Sequence, residues 1–380
     1  MADQARHWGL QALAALVLAL LTELSRRLVG ETLPGALCWP AAGLGAVFLA
    51  RWGWRGALPL FAGLGLWALL TSDLNLAQRA GAVLAGGAGP LLLRALLGPR
   101  WRLRRGTDNP FDNTIGLGRA VAAQAFAAAP LAALLDAGVA ASQGASAFGL
   151  IEGFGQRWVA ELAGFLLLAP LAWELLSPRL GPWAGLKEML RLGRRHLLVV
   201  LLLVSVVAAA AGLWRWPGAA ALAQAATYLL VPLLTLSLAS VPPLAAFTTL
   251  AIAGLGLAAA QPPAAGAPQL LLLTLFLCVT ACAVLAMRAL LNAQRQARHQ
   301  LEQQAFIDHA TGLLNRAGLN RLLEGWGSQI GGRDRALLSL RAGNLDAIEA
   351  LGGPQRLAAI ERELAEELRT ELPHVHWSRL

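Results

Sequence analysis

The sequence predicts a polytopic α-helical membrane bundle of about ten transmembrane helices, followed by a helical linker and a partial α/β domain. Three observations predict it. The 380 residues are 57% hydrophobic and only 14% charged, whereas ordinary soluble domains carry about 25% charged residues. Charge is unevenly placed: 197–213 and 219–267 hold no Asp, Glu, Lys or Arg, while charge is dense from Glu302 onward. Between these limits, apolar stretches recur at the length of a bilayer crossing.

A bilayer core asks for about 20 mostly apolar residues per helix. Ten stretches meet that requirement, near 8–24, 35–50, 55–72, 79–97, 116–140, 158–176, 196–214, 219–239, 241–260 and 268–291. The first is expected to be retained, because no small-residue cleavage site follows a short apolar run. The run from Ala80 to Gly89 is built from small residues, which let membrane helices approach closely. Pro242 and Pro243 leave only a short break between the eighth and ninth stretches.

Loop charge gives the orientation. With the N-terminus in the cytoplasm, the inside loops carry Arg51, Arg55, Arg100, Arg102, Arg104, Arg105, Arg179, Lys187, Arg191, Arg194 and Arg195. The outside loops carry Arg26, Arg27, Arg79, Arg157 and Arg215. Eleven against five favours this orientation, and ten spans then place the C-terminus inside too. The net charge of +9 is accounted for in this way, without nucleic acid as a partner. The bilayer itself is the expected partner.

Charge inside a span is costly, about 2.5–3.5 kcal/mol at its centre on insertion scales. Arg94 and Asp136 fall late in their spans and read as side chains reaching the interface. Glu161 lies a few residues into its span and is too short to reach out, so it serves either a functional role or a hydrogen bond to a neighbouring helix. The six histidines, His7, His196, His299, His309, His374 and His376, all fall outside the middle of spans, which excludes bis-His haem ligation within the membrane. Cys38, Cys278 and Cys282 are odd in number and lie in apolar segments, so a disulfide framework is not expected. Cys278 and Cys282 share a helix face at i, i+4, as a soft-metal pair or as small apolar packing. No cofactor and no metal site are expected.

Beyond Arg288, residues 291–305 are polar helix formers without Gly or Pro and are expected to carry the last span into the cytoplasm. Leu291, Arg298, Leu301 and Ala305 form a weak heptad seam. The segment reads as a signal rod pairing with its twin in a homodimer, or as a solvated spacer. Farther on, Ala336–Leu340 reads as a buried strand. Leu357, Ile360, Leu364, Leu368 and Leu372 predict an amphipathic helix over 354–372.

Two passages in the membrane part carry a resemblance. Trp39, Pro40 and Gly43, followed by the basic Trp turn Arg51–Gly56, resemble the "W-P-x-x-G" helix and turn of the first type of bacterial membrane-associated sensor (MASE) domain. Trp158, Glu161, Gly164 and Pro170 are similar to that family's "W-x-x-D-x-x-G-x-x-x-x-x-P" span, with Glu161 in place of Asp. The resemblance covers roughly residues 8–290 and implies a sensory module in the bacterial inner membrane, responding to an unknown small molecule or membrane-derived signal. Glu161, Trp39, Pro40 and Trp158 are its candidate polar site.

A second resemblance begins at Phe306. Asp308, Thr311, Gly312, Leu313, Asn315 and Arg316 match the "D-x-L-T-G-L-x-N-R" opening of GGDEF domains, the diguanylate cyclase family, with Ala310 where Leu is usual. Asp308 and Thr311 are expected to cap the helix that begins at Asn315. By the same resemblance, Arg341 stands at the metal-binding Asp, Glu349 at the guanine-reading Asn, and Ala358 at a later guanine-reading Asp. A cation repels the Mg²⁺ that such a position should hold, and without metal the triphosphate charge goes uncompensated. The signature hairpin is absent from 306–380, so this segment is expected to be a truncated or degenerate domain. His374 and His376 alternate on one strand face and read as solvated positions.

The chain therefore divides into a MASE-like sensor over 1–290, a linker over 291–305 and a partial GGDEF-like domain over 306–380, acting in cyclic di-GMP signalling. Two readings compete with it. One is an active diguanylate cyclase whose catalytic half lies beyond these residues. The other is a membrane transporter with an unrelated tail, against which the lack of an obvious internal repeat argues.

Overall fold

The computed structural model describes residues 2–29, 38–72, 74–98, 101, 109–176, 205, 208–209, 212, 246–252, 267–308, 311–327, 345–372 and 375–378. The chain forms two compact units, Met1–Asn292 and Ala293–Leu380. The first is a helical membrane bundle. Among the described residues, five helical stretches are long and apolar enough to cross a membrane: Trp8–Arg27, Leu76–Leu97, Thr114–Ser142, Ala147–Leu176 and Leu271–Leu301.

Helix α1 spans Ala2–Val29 and ends on Arg26 and Arg27. Both pair with Glu23, at 3.0 and 2.6 Å. Helices α2 (Pro40–Trp52) and α3 (Ala57–Leu70) are joined by the tight turn Gly53–Gly56. They replace the two spans predicted at 35–50 and 55–72. At 13 and 14 residues and 1.5 Å per residue, each reaches only about 20 Å, short of a hydrocarbon core of about 30 Å. The break lies where Gly53 takes φ +62°, a conformation that glycine adopts without steric cost.

Helix α2 is the centre of the bundle. Pro40 opens it at a position where the missing N–H costs nothing, and every residue from Pro40 to Ala50 is buried. It packs against α7 (Ala147–Leu176), α4 (Leu76–Leu97), α3 and α1. Helix α4 starts with a reciprocal cap in which Asn75 and Gln78 exchange hydrogen bonds of 2.9 and 3.0 Å. At its other end Arg94 is buried, and its Nη1 donates to the carbonyls of Gly98 and Trp101. Its charge closes the helix C-terminus. Trp101, Phe111, Phe165 and Trp173 pack around one another nearby, Trp101 and Trp173 with ring centres 5.0 Å apart.

The stretch predicted at 116–140 is α5 (Thr114–Ala123) and α6 (Ala129–Ser142) joined by a π turn, Gln124–Ala128. The span predicted from 158 begins eleven residues earlier, so α7 runs for 30 residues. Arg157, placed in an outside loop by hydropathy, is therefore a helical residue of the bundle interior. Helix α8, Ala267–Ala305, joins the predicted last span and the predicted linker in one helix of 39 residues. The spans predicted near 196–214, 219–239 and 241–260 lie outside the described residues, apart from 205, 208–209, 212 and 246–252.

The second unit contains the end of α8, then α9 (Arg316–Gly327) and α10 (Leu345–Glu371). Helix α10 is kinked at Gly353, φ +73°, immediately before Pro354, and its second half is the helix predicted over 354–372. Ala365 is its buried contact, whereas Leu364 and Leu372 are 42% and 49% exposed, so the predicted apolar stripe is only partly covered. The strand predicted at Ala336–Leu340 lies outside the described residues. Among those that are described, the backbone pairs only in isolated bridges, Ile307 with Leu314 and Leu314 with Ser378.

Candidate functional site

The two sequence passages singled out in the membrane part meet in space. A Cβ on Gly164 would fall on the carbonyl of Trp39, with its C and N at 2.7 and 3.1 Å. A Cβ on Gly43 would fall on the Gly164 carbonyl and lie 2.9 Å from the nitrogen of Ala169. The backbones of α2 and α7 thus touch, as small residues permit in membrane bundles. The contact includes a bond between elements: the Trp39 N–H donates to the Ala160 carbonyl at 2.9 Å.

Onto this contact the chain places a charge pair. Arg157 and Glu161 stand one turn apart on α7, with Nη2 to Oε1 at 3.0 Å. Glu161 is the fifteenth of the thirty residues of α7, deeper than hydropathy placed it, and is fully buried. The Arg157 guanidinium lies over the Trp39 ring, 3.7 Å from its centre, a cation–π contact strengthened by exclusion from water. Trp39 in turn meets Trp67 edge-on at 5.6 Å, and the Trp67 indole donates to Glu23 at 3.2 Å. A row of contacts therefore runs from α1 to α7 through Glu23, Trp67, Trp39, Arg157 and Glu161.

The pair is incompletely satisfied. Among the described residues, Glu161 Oε2, Arg157 Nε and Trp39 Nε1 have no hydrogen-bond partner, nor has either amide atom of Gln124. Gln124 is fully buried in the π turn. Buried polar groups are ordinarily paired, and π turns within helices concentrate at functional sites. The π turn also accepts from Trp158, whose indole donates to the Ala125 carbonyl at 2.8 Å. Of the four residues expected at a polar site, Trp39, Pro40 and Glu161 come together at the α2–α7 contact, and Trp158 points to the adjoining π turn. Arg157 and Gln124 were not among them. The i, i+4 spacing of Arg157 and Glu161 was the available signal.

Cys278 donates its thiol to the Val159 carbonyl at 3.7 Å, tying α8 to the same turn of α7. The three cysteines are free thiols. Among the described residues no group of three or more His, Cys, Asp or Glu side chains is gathered as a metal site would require.

In the second unit, Asp308 and the residues from Thr311 onward make a local hydrogen-bonded turn. Asp308 Oδ1 accepts from the Thr311 N–H and hydroxyl at 3.0 and 2.9 Å. Gly312 takes φ +67°, and its carbonyl accepts from Arg369. The expected cap is shifted: Asn315 itself caps α9, its Oδ1 accepting from Gly318 N at 2.9 Å. Its Nδ2 donates to the Ala305 carbonyl at 2.7 Å. Asp308 and Thr311 build the preceding turn, because they lie too early to reach the free N–H groups of the first helical turn. Leu313 and Leu314 are half-buried, and Arg316 is exposed. Glu349 is exposed on α10, Ala358 is half-buried on its second half, and Arg341 lies outside the described residues.

No family model matches the chain, and neither a curated protein nor a solved structure matches it.

Proposed function

We propose that the chain is a sensor of the bacterial inner membrane in the cyclic di-GMP system, transmitting an input from a MASE-like bundle to a catalytically defective GGDEF-like domain. In this reading the bundle crosses the membrane an even number of times and both termini are cytoplasmic. The input is an unknown small molecule or membrane-derived signal, received around Glu161, Trp39, Pro40 and Trp158. The homodimer forms through the polar half of α8.

The observation that carries the reading is the run of α8, 39 residues from Ala267 to Ala305, with the turn that begins at Asp308 soon after it. A continuous helix is the simplest device for moving a small displacement at membrane depth to a cytoplasmic domain. The thiol contact of Cys278 with Val159 sets that helix against the turn that carries Glu161. The loss of catalysis follows from Arg341, Glu349 and Ala358 at positions where the family uses a metal ligand and guanine readers.

A transporter is the second reading, favoured by α2, a short, wholly buried helix beside unpartnered polar atoms, as in transport sites built from broken helices. Co-expression with an active diguanylate cyclase separates the two. The sensor reading expects cellular cyclic di-GMP to change with the full chain and to return to baseline without 306–380. An unchanged level with both would overturn it.

A further inference from the structure

The π turn between α5 and α6 has a local cause in Pro130. A proline has no N–H, and its ring crowds the carbonyl four residues before it. Just ahead of it, the Ala129 N–H reaches back five residues to the Gln124 carbonyl, where an α-helix would have it serve Ala125. In this wider register the donor for Ala125 would be residue 130, which is the proline. The helix thus passes over the Ala125 carbonyl in both registers, and the Trp158 indole fills the gap from α7, donating to it at 2.8 Å. A second residue acts in the opposite sense. Gln124 is fully buried in the same turn, with neither amide atom partnered among the described residues. A buried, unpaired amide destabilises the register that buries it.

We propose that this turn is a two-state latch: the Trp158 indole holds it in the π register, and release of the indole closes it to an α turn, rotating α5 against α6. In the closed register the Ala129 N–H returns to the Ala125 carbonyl, and every residue of α5 takes the place of the one before it. That is a rotation of about 100° and an advance of about 1.5 Å. The sequence of α5 accommodates the shift. Gly118 and Val121 take the buried places of Leu117 and Ala120, and Arg119 passes to the exposed place of Gly118. No charge is buried. Trp158 follows Arg157 directly on α7, so a movement of the helical turn that carries the Arg157–Glu161 pair moves the latch with it.

This proposal rests on the reading of Trp158 as part of the input site. Its test reads helix geometry, whereas that reading is judged by the cyclic di-GMP assay, so the two fail separately. Spin labels are placed at two exposed positions, Ile115→Cys on α5 and Leu134→Cys on α6. The full chain is used in lipid, with Cys38, Cys278 and Cys282 replaced by alanine. Pulsed electron resonance measures the separation of the labels with Trp158 intact and with Trp158→Phe, which keeps a ring and loses the N–H. The expected result is a shift of up to about 8 Å, the chord of that rotation at the surface of a helix. Pro130→Ala, which restores the N–H that an α register uses at that position, should give the same shift and serves if the tryptophan variant does not assemble. A second pair, Leu134→Cys with Ile151→Cys on α7, should keep its separation in both. An unchanged first pair in either variant that assembles, or a second pair that moves with the first, would overturn the proposal.

Discussion

Arg157 and Glu161 form an ion pair inside the bundle, 3.0 Å between Nη2 and Oε1, with the glutamate side chain wholly buried and the arginine side chain 9% exposed. Such a pair repays its desolvation only while both partners are present. Removing one costs about 3–5 kcal/mol, whereas replacing both by apolar groups is often neutral. Glu161→Leu and Arg157→Leu should each unfold at markedly lower denaturant in lipid–detergent mixtures, and the double variant should recover most of the loss. Additive losses would show that the two side chains are not coupled.

Glu161→Gln keeps the shape and one acceptor but removes the charge. It is expected to insert normally and to shift signalling output or ligand response. A Glu161→Leu protein matching the wild type in both output and stability would leave the carboxylate without a role.

The α2–α7 contact makes a sharp prediction about two kinds of glycine on one helix. Gly164→Ala places a carbon onto the Trp39 backbone and should cost about 1–3 kcal/mol by overpacking. Gly153→Ala and Gly155→Ala meet nothing within 4 Å and should stabilise α7 by roughly 0.5–1 kcal/mol through helix propensity. Equilibrium unfolding of the three variants decides it.

Topology is checked by reporter fusions. Those after Arg105 and Arg195 should report cytoplasm, and one near Gly144, in the short turn between α6 and α7, should report periplasm. Opposite signals at two of the three sites would overturn the arrangement with a cytoplasmic N-terminus.

The 380 residues should make no cyclic di-GMP from GTP and Mg²⁺, and Arg341→Asp alone should not restore synthesis. Phosphoryl transfer is catalysed almost wholly by metal and oriented donors, and Glu349 and Ala358 would still stand at the guanine-reading positions. Purified protein in lipid, given labelled GTP and followed by chromatography, provides the test. Product clearly above an inactive control would show that the resemblance has been misaligned over this segment.

The sequence by itself determined the class of the membrane part, because 14% charge and repeated apolar runs leave a chain of this length few ways to satisfy its backbone outside a helical bundle. It also determined that residues 291–305 continue a helix, since polar helix formers without Gly or Pro give no reason to stop. The tertiary structure decided which polar residues matter together. Hydropathy averages over a window, so the polar run Glu152, Gln156 and Arg157 at the start of α7 concealed ten helical residues and the partner of Glu161. Nothing local marks Gln124 as buried, because that depends on which helix faces are brought together. The shortness of α2 follows the same logic. A run of small apolar residues looks like a span, and only packing on all sides, with Gly53 free to turn the chain, makes it the buried centre of the bundle.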